Sequence, residues 1–353
     1  MKLLTIPGVI DAHVHLREPG GTQKEDMTSG TRAAISGGVT AVLDMPNNPQ
    51  PTNSPQALEN KKVLADKRIY SDLGFYFAAT VEGIPHFAVV KDRVFGYKLY
   101  MNHTTGNLIV TDEQAEAIFA QIPVGKTLVV HAEGETMNKA IQLAKKFNTK
   151  LHVAHVSLSA EVREIKKAKD QGMQITAEVT PHHLFLKADD VEILKSYGIM
   201  KPPLQSAQDQ EDLWEGLRRG IIDIVATDHA PHTKDEKNTM ENPPFGVPGV
   251  ETMLPLLLTA VADKKISLET LIAVTNTNPR RIFSIAEQLD TYVEIDTTQS
   301  YVLTNEIIVS KCGWTPFAGM QIKGKITSVY LRGKRVYDGV NISGPLGQLI
   351  SPK

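Results

Sequence analysis

Short runs of apolar, often β-branched residues alternate along most of the chain with longer amphipathic stretches. Eight of these runs have the length of a strand, namely Val9–Leu16, Thr40–Met45, Leu73–Thr80, Phe95–Met101, Thr127–Ala132, Leu151–Val156, Met173–Val179 and Asp223–Thr227. Their nearly continuous apolar interiors are typical of parallel strands that are covered on both faces. Helical patterns such as Glu133–Phe147 and Ala207–Arg219 lie between them. Eight such β/α units predict an α/β fold, a closed (β/α)8 barrel of the TIM type rather than an open sheet.

The pattern changes after the eighth candidate strand. Two helical stretches, Gly249–Ala262 and Leu268–Asn276, are followed by short strand-like pieces at Tyr301–Val309, Ile326–Arg332 and Lys334–Tyr337. We therefore predict a barrel over residues 7–283 and a small β-rich C-terminal appendage, residues 284–353, packed on it.

Composition and charge argue against some classes of function. Hydrophobic residues make up 41% and charged residues 22% of the 353 residues, with a formal net charge of −2. That balance supplies neither a basic field for nucleic acid nor a polybasic patch for a membrane. Cys312 is the only cysteine, so no internal disulfide can form. With no signal-peptide pattern and no apolar run of the ~20 residues that span a bilayer, we expect a cytoplasmic protein.

Polar residues interrupt the apolar runs mainly at their C-terminal ends, which a barrel brings together on one face. The first run ends Asp11-Ala12-His13-Val14-His15, so His13 and His15 should point to one side while Ala12 and Val14 pack outward. The later runs contribute Lys98, His131, His155 and Asp228.

Four histidines and an aspartate that converge in this way suit zinc or a similar ion. An ammonium would repel cations, but a neutral, buried Lys98 can capture CO2 as a carbamate whose two oxygens bridge two metals. Each signal alone is weak, since a His-x-His pair is often structural and a lone aspartate often caps a helix. Their joint position at corresponding strand ends favours a binuclear metal site.

Two longer motifs carry a family resemblance. Ile10–Gly21 (IDAHVHLREPGG) and Ala226–His232 (ATDHAPH) resemble the two signatures of dihydroorotases, within the amidohydrolase superfamily. Shorter motifs follow in the family's order, namely Met45-Pro46-Asn47, Tyr97-Lys98-Leu99-Tyr100, His131-Ala132-Glu133, His152–His155, Pro244–Gly249 and Asn278–Arg281. The resemblance covers residues 7–283 and is closest to the dihydroorotase domain of pyrimidine-synthesis polyproteins.

The resemblance implies a mechanism. His13, His15 and Asp228 would hold one Zn2+ or similar divalent ion, and His131 and His155 a second. Carboxylated Lys98 would bridge the two. A hydroxide between the ions would be the nucleophile, and Asp228 would act as general acid and base. The implied reaction is the reversible cyclisation of N-carbamoyl-L-aspartate to L-dihydroorotate, the third step of de novo pyrimidine (UMP) synthesis.

Substrate contacts are implied as well. Arg17 would bind the substrate carboxylate with its planar fork, joined by Asn47 and His232. Thr104 would belong to a loop, residues 102–106, that closes over substrate. Lys201 stands where relatives carry an Arg or Asn, so we assign it no role.

Two other functions stay open. An allantoinase or hydantoinase-type cyclic amidase would share the metal chemistry but does not need Arg17 for a substrate carboxylate. An inactive dihydroorotase-like structural partner of aspartate transcarbamoylase would be expected to lose metal ligands. The resemblance also implies a homodimer and leaves an association with aspartate transcarbamoylase open.

Overall fold

The computed structural model describes residues 3–103, 108–239 and 241–353. Its strands, in chain order, are β1 (Leu3–Pro7), β2 (Val9–Val14), β3 (Val39–Asp44), β4 (Asp72–Phe75), β5 (Phe77–Ala78), β6 (Tyr97–Tyr100), β7 (Thr127–His131), β8 (Lys150–Val153), β9 (Ile175–Val179), β10 (Ile224–Val225), β11 (Tyr292–Val302), β12 (Gln321–Leu331) and β13 (Lys334–Tyr337).

Helices connect these strands. They are α1 (Met27–Ser36), α2 (Pro55–Ala65), α3 (Phe87–Val90), α4 (Asp112–Phe119), α5 (Glu135–Phe147), α6 (Ser159–Asp170), α7 (Pro181–Phe185), α8 (Val191–Leu194), α9 (Ala207–Arg218), α10 (Lys234–Thr239), α11 (Met253–Ala262), α12 (Leu268–Ile272) and α13 (Asn278–Phe283). Within the ranges that the structure describes, no helix combines the length and apolar character needed to cross a bilayer.

Parallel strands form the barrel in two continuous arcs. One arc is β2-β3-β4 and the other is β5-β6-β7-β8-β9-β10. β4 and β5 are two halves of one strand interrupted at Tyr76, whose amide donates to the carbonyl of Asp44 at 3.1 Å. Each of the eight predicted strands overlaps one of these eight strand units, and the (β/α)8 prediction is confirmed.

The barrel closes between its last and first strands through a side chain. β10 has only two residues, and backbone pairing at this seam is the single bridge between Val14 and His229. The buried Asp11 carboxylate completes the seam because it accepts from the amide of Thr227 at 3.0 Å and from its hydroxyl. Burial raises the pKa of Asp11 to about 7, even though the hydrogen bonds from Thr227 lower it.

Buried apolar side chains fill the barrel interior. Ala12 packs there with Ala41 and Leu43 of β3, whereas Val14 joins the layer between barrel and helices. The prediction that Ala12 packs outward beside Val14 was therefore wrong. The physical reason is a register shift against β3 between Asp11 and Val14, which breaks the strict alternation of the strand.

The C-terminal appendage is an antiparallel sheet of order β1-β11-β12-β13. Its first strand, β1, comes from the N-terminus and pairs with β11, which the sequence did not indicate. The predicted strand Tyr301–Val309 was wrong, because the strand is instead Tyr292–Val302. Residues 297–300 of this strand are polar and exposed, so no alternation revealed it. The division of the chain at residue 283 stays a prediction.

The C-terminal tail adds a short strand-like pairing to the barrel. Leu73 of β4 donates to the carbonyl of Gln348 at 2.9 Å, and Ile350 donates back to the carbonyl of Leu73 at 3.0 Å. The tail therefore lies alongside β4 and satisfies backbone groups there.

We predict that Gly347→Ala destabilises this docking. A Cβ at Gly347 would overlap the carbonyl oxygen of Ser71, and backbone atoms yield less readily than a flexible side chain. Overpacking of this kind costs about 1–3 kcal/mol, measurable by urea unfolding. Gly344→Ala is the matched control, since nothing lies within 4 Å of its Cβ. Equal stability of the two variants would contradict the docking.

Candidate active site

A cavity at the C-terminal end of the barrel strands collects the chemistry-bearing residues. It is lined by His13, His15, Arg17, Asn47, Lys98, Tyr100, His131, His155, Lys201, Asp228, Ala230, Phe245 and Gly246. All six predicted metal ligands thus line one cavity, together with Arg17 and Asn47 and with the unassigned Lys201.

His13, His15 and Asp228 form the first ligand cluster. The Nε2 atoms of His13 and His15 lie 3.3 and 2.9 Å from Oδ1 of Asp228, and the ligand atoms of all three lie within 4.8 Å of one another. Burial alone would raise the pKa of Asp228, but His13 and His15 hold it well below its usual range. An ionised carboxylate with two imidazoles is a donor set that fits one divalent cation.

His131 and His155 form a second, buried pair. Nδ1 of His131 lies 2.8 Å from Nε2 of His155. In the described part of the chain, His155 Nδ1 is buried without a hydrogen-bond partner, and His131 Nε2 faces Oε1 of Glu133 at 3.4 Å. Burial lowers the pKa of both rings, and that of His155 falls well below its usual value. Neutral imidazoles of this kind fit a second metal.

Lys98 lies in the same cavity and is 1% exposed. Its Nζ has no hydrogen-bond partner among the described residues. Burial lowers its pKa to about 8, although the negative charges of Glu178 and Asp228 oppose that shift. An unpartnered buried ammonium is costly, so this position favours the neutral amine.

Two neighbouring side chains orient the histidines of the first cluster. Glu178, on β9, contacts Nδ1 of His13 and accepts from Nε2 of His152 at 3.1 Å. Asn47 Oδ1 lies 2.7 Å from Nδ1 of His15 and accepts a hydrogen bond from it. Both rings therefore turn Nε2 toward Asp228, as in metal sites whose ligands are fixed by an outer hydrogen bond.

Three cavity residues have left-handed backbone. The φ angles of Arg17, His155 and Asp228 are +61°, +38° and +47°. Such values cost a non-glycine residue of order 1–3 kcal/mol and concentrate at functional sites. Here each residue lies just past a strand end, where the turn redirects its side chain into the cavity.

The guanidinium of Arg17 is contacted by Pro231 and His232. Its Nε donates to the carbonyl of Pro231 at 3.1 Å, and its Nη2 lies 3.1 Å from Nε2 of His232. No carboxylate forms an ion pair with Arg17 in the ranges that the structure describes. A guanidinium that lines a cavity without an acidic partner is suited to an anionic ligand.

The other predicted substrate contacts lie in different places. His232 is fully buried and does not line the cavity. It accepts from Lys24 at Nδ1 (3.1 Å) and donates from Nε2 to the carbonyl of Phe245 (2.9 Å). Thr104 lies outside the described residues. Lys201 Nζ lies 5.3 Å from the ring centroid of Phe245.

Two further residues of the site, Glu178 and Tyr100, could be seen in the sequence but received no predicted role. Glu178 was visible as a carboxylate in a strand, but nothing in the sequence paired it with His13, 165 positions away. Tyr100 follows Lys98 by two positions and so shares its face of β6, which was a usable signal. Its buried hydroxyl has no hydrogen-bond partner among the described residues.

Comparisons with known proteins agree with this geometry. Residues 4–336 match the model of the amidohydrolase family. Over 98% of its length, the chain is 41% identical to the multifunctional protein CAD of Squalus acanthias, of which it spans 15%. It is 36% identical to a dihydroorotase of Pyrococcus horikoshii, covering 98% of this chain and 84% of that protein. An L-hydantoinase (dihydropyrimidinase) structure from Arthrobacter aurescens superposes with a TM-score of 0.94 at 25% identity, covering 99% and 89% of the chains.

We predict that Glu178→Gln weakens metal binding about 10–100-fold, the usual effect of losing an outer partner of a metal-bound histidine. The amide keeps the shape but loses the charge that fixes His13. Affinity is measured by competition with a chelator. Glu251→Gln is the control, because Glu251 is likewise a carboxylate held by backbone amides, those of Val309 and Ser310, away from the cavity. Equal metal affinity in the two variants would rule out the outer role of Glu178.

Proposed function

The chain belongs to the amidohydrolase family and, within it, to the dihydroorotases, hydrolases of cyclic amides, and we propose that it interconverts N-carbamoyl-L-aspartate and L-dihydroorotate. One observation carries the proposal. The cavity joins a cluster of metal-ligand type to Arg17, a guanidinium that has no carboxylate partner in the described part of the chain. Hydrolysis of a cyclic amide needs the first feature, and an acidic substrate needs the second.

Enzymes of this family generally use a metal ion, and the His-His-Asp cluster fits one. We propose that His13, His15 and Asp228 hold one Zn2+ and that His131 and His155 hold another. When bound, such ions would lower the pKa of a water molecule and polarise the carbonyl to be attacked. The two buried rings, which bring Nδ1 of His131 within 2.8 Å of Nε2 of His155, support the second position.

We assign the bridge between the two ions to Lys98. Its neutral Nζ would form a bond to the carbon of CO2 and release one proton, which leaves a carbamate. That reaction turns a buried neutral amine without a hydrogen-bond partner among the described residues into an anion that lies among the proposed metal ligands. The pKa of about 8 supports it, because a substantial fraction of the amine is then neutral near physiological pH.

Asp228 would transfer the proton. Its Oδ1 faces the two histidines, so Oδ2 is the oxygen that remains for the proton of the attacking water. The same oxygen would then deliver this proton to the amide nitrogen that leaves when the ring opens. In the direction of cyclisation, the steps run in reverse.

Arg17 would bind the substrate carboxylate through its planar fork. The contacts of Asn47 and His232 suggest supporting parts, since Asn47 orients His15 and His232 packs against the guanidinium. The predicted loop contact from Thr104 remains a proposal outside the described residues.

The cavity residues give less support to the two alternative functions. A neutral cyclic ureide gives Arg17 no partner, which disfavours an allantoinase or hydantoinase. An inactive structural partner does not need the six ligand side chains that line the cavity. A homodimer, a cytoplasmic location and an association with aspartate transcarbamoylase stay predictions, and the chain spans only 15% of the first multifunctional relative.

Turnover of L-dihydroorotate beside allantoin and dihydrouracil tests the function. We expect selective hydrolysis of L-dihydroorotate by protein whose metal content has been measured. Metal without that turnover would move the assignment to another cyclic amidase, and neither metal nor turnover would favour the inactive partner.

Arg17→Met should raise the KM for L-dihydroorotate and leave metal content unchanged, whereas equal loss of metal would make Arg17 structural.

Lys98→Ala should abolish binding of the second metal and reduce activity to background, because the bridge is lost. Metal content is measured by elemental analysis beside turnover. Added short carboxylic acids should restore part of both, since a free carboxylate can occupy the place of the carbamate. Normal metal content and activity in Lys98→Ala would contradict the bridge.

A further inference from the structure

One segment of the appendage reaches the active-site loop. Residues 309–314, which lie between β11 and β12, contact the loop after β10 directly through Trp314 and indirectly through Glu25. Ser310 donates from its hydroxyl to the buried Glu25, whose Oε2 lies 3.5 Å from Nε2 of His229. Trp314 donates from Nε1 to the carbonyl oxygen of His232 at 2.8 Å. These contacts connect residues 309–314 with His229 and His232, which belong to the loop after β10.

Trp314 is fixed in its own pocket. It is 1% exposed, and its ring meets that of Tyr197 edge-on at a centroid distance of 4.8 Å. Lys237 places its Nζ 5.7 Å from the indole centroid, and that Nζ is itself held by the carbonyls of Ile199 and Pro244. The indole N–H therefore has a fixed direction.

The hydrogen bond from Trp314 is linked to Arg17 through contacts of His232. The carbonyl of His232 accepts from Trp314, and Nε2 of its ring donates to the carbonyl of Phe245. Nη2 of Arg17 is also a donor, so its 3.1 Å approach to that Nε2 is a packing contact and not a hydrogen bond. The neighbouring carbonyl of Pro231 accepts from Nε of Arg17. The Pro231–His232 dipeptide thus contacts the guanidinium of Arg17, and Trp314 donates a hydrogen bond to the same dipeptide.

We propose that Trp314 is a positioning residue for carboxylate recognition, which fixes the Pro231–His232 dipeptide and through it the guanidinium of Arg17. The inference rests on the proposed function, because it takes the ligand of Arg17 to be the substrate carboxylate. It gives the C-terminal appendage a part in substrate specificity as well as in stability.

The chain contains a matched control. It has two tryptophans. Trp214, on α9, is also 1% exposed, and its indole N–H also donates to a backbone carbonyl, that of Leu184, at 2.9 Å. The ring of Trp214 contacts Phe185 and the Nζ of Lys265, and neither residue lines the cavity. Replacing either tryptophan by Phe removes the same kind of hydrogen bond and a similar volume.

The experiment compares Trp314→Phe with Trp214→Phe in the metal-loaded full chain. Trp314→Phe should raise the KM for L-dihydroorotate about tenfold, the equivalent of one well-placed hydrogen bond, with kcat within about twofold of the parent. Trp214→Phe should keep the parent KM, and both variants should keep the parent metal content. Trp314→Tyr, which also lacks the indole N–H, replaces Trp314→Phe if the latter fails to fold.

A second background separates positioning from general loosening. In Arg17→Lys, which keeps the charge but loses the fork, Trp314→Phe should change KM by less than about twofold, because its effect passes through the guanidinium. A full tenfold effect in that background, or equal KM values for the two tryptophan variants, would overturn the inference while leaving the function intact. A parent chain that does not turn over L-dihydroorotate would overturn the proposed function and this inference together.

Discussion

The buried amine of Lys98 is the constraint on which the rest of the site depends. It lies among imidazoles, and the described residues offer its Nζ no hydrogen-bond partner. A charged ammonium left dry in this way would be expensive, of the order of several kcal/mol. Neutralisation relieves part of that cost, and the proposed conversion to a carbamate between two cations would remove it. The surrounding histidines, whose pKa values are lowered by burial, are neutral ligands that suit this outcome.

The barrel delivers these ligands, but neighbouring groups decide how they point. Strand ends supply the side chains, and left-handed backbone at Arg17, His155 and Asp228 redirects them into one cavity. Glu178 and Asn47 then fix the rings of His13 and His15. The appendage adds a further layer of support from behind the loop that carries Asp228. The geometry of the cavity therefore depends also on residues outside its lining, such as Glu178 and Trp314.

Much of this could be predicted from the sequence, because local patterns encode it. Apolar runs located all eight barrel strands, and the histidines at their ends were correctly placed in one cavity. What escaped prediction depends on contacts between distant residues. No local signal indicated that Leu3–Pro7 pairs with β11, or that Asp11 closes the barrel through Thr227. The interior position of Ala12 follows from a strand irregularity, and the partnership of Glu178 with His13 requires the folded barrel.

Diffraction at the zinc absorption edge, from a crystal of the zinc-loaded chain, tests the proposed Lys98 bridge between two metals. We expect two anomalous peaks, one among His13, His15 and Asp228 and one between His131 and His155. Electron density should continue from Nζ of Lys98 toward both peaks. A single peak, or a Lys98 side chain that ends at Nζ, would show that Lys98 does not bridge two metals.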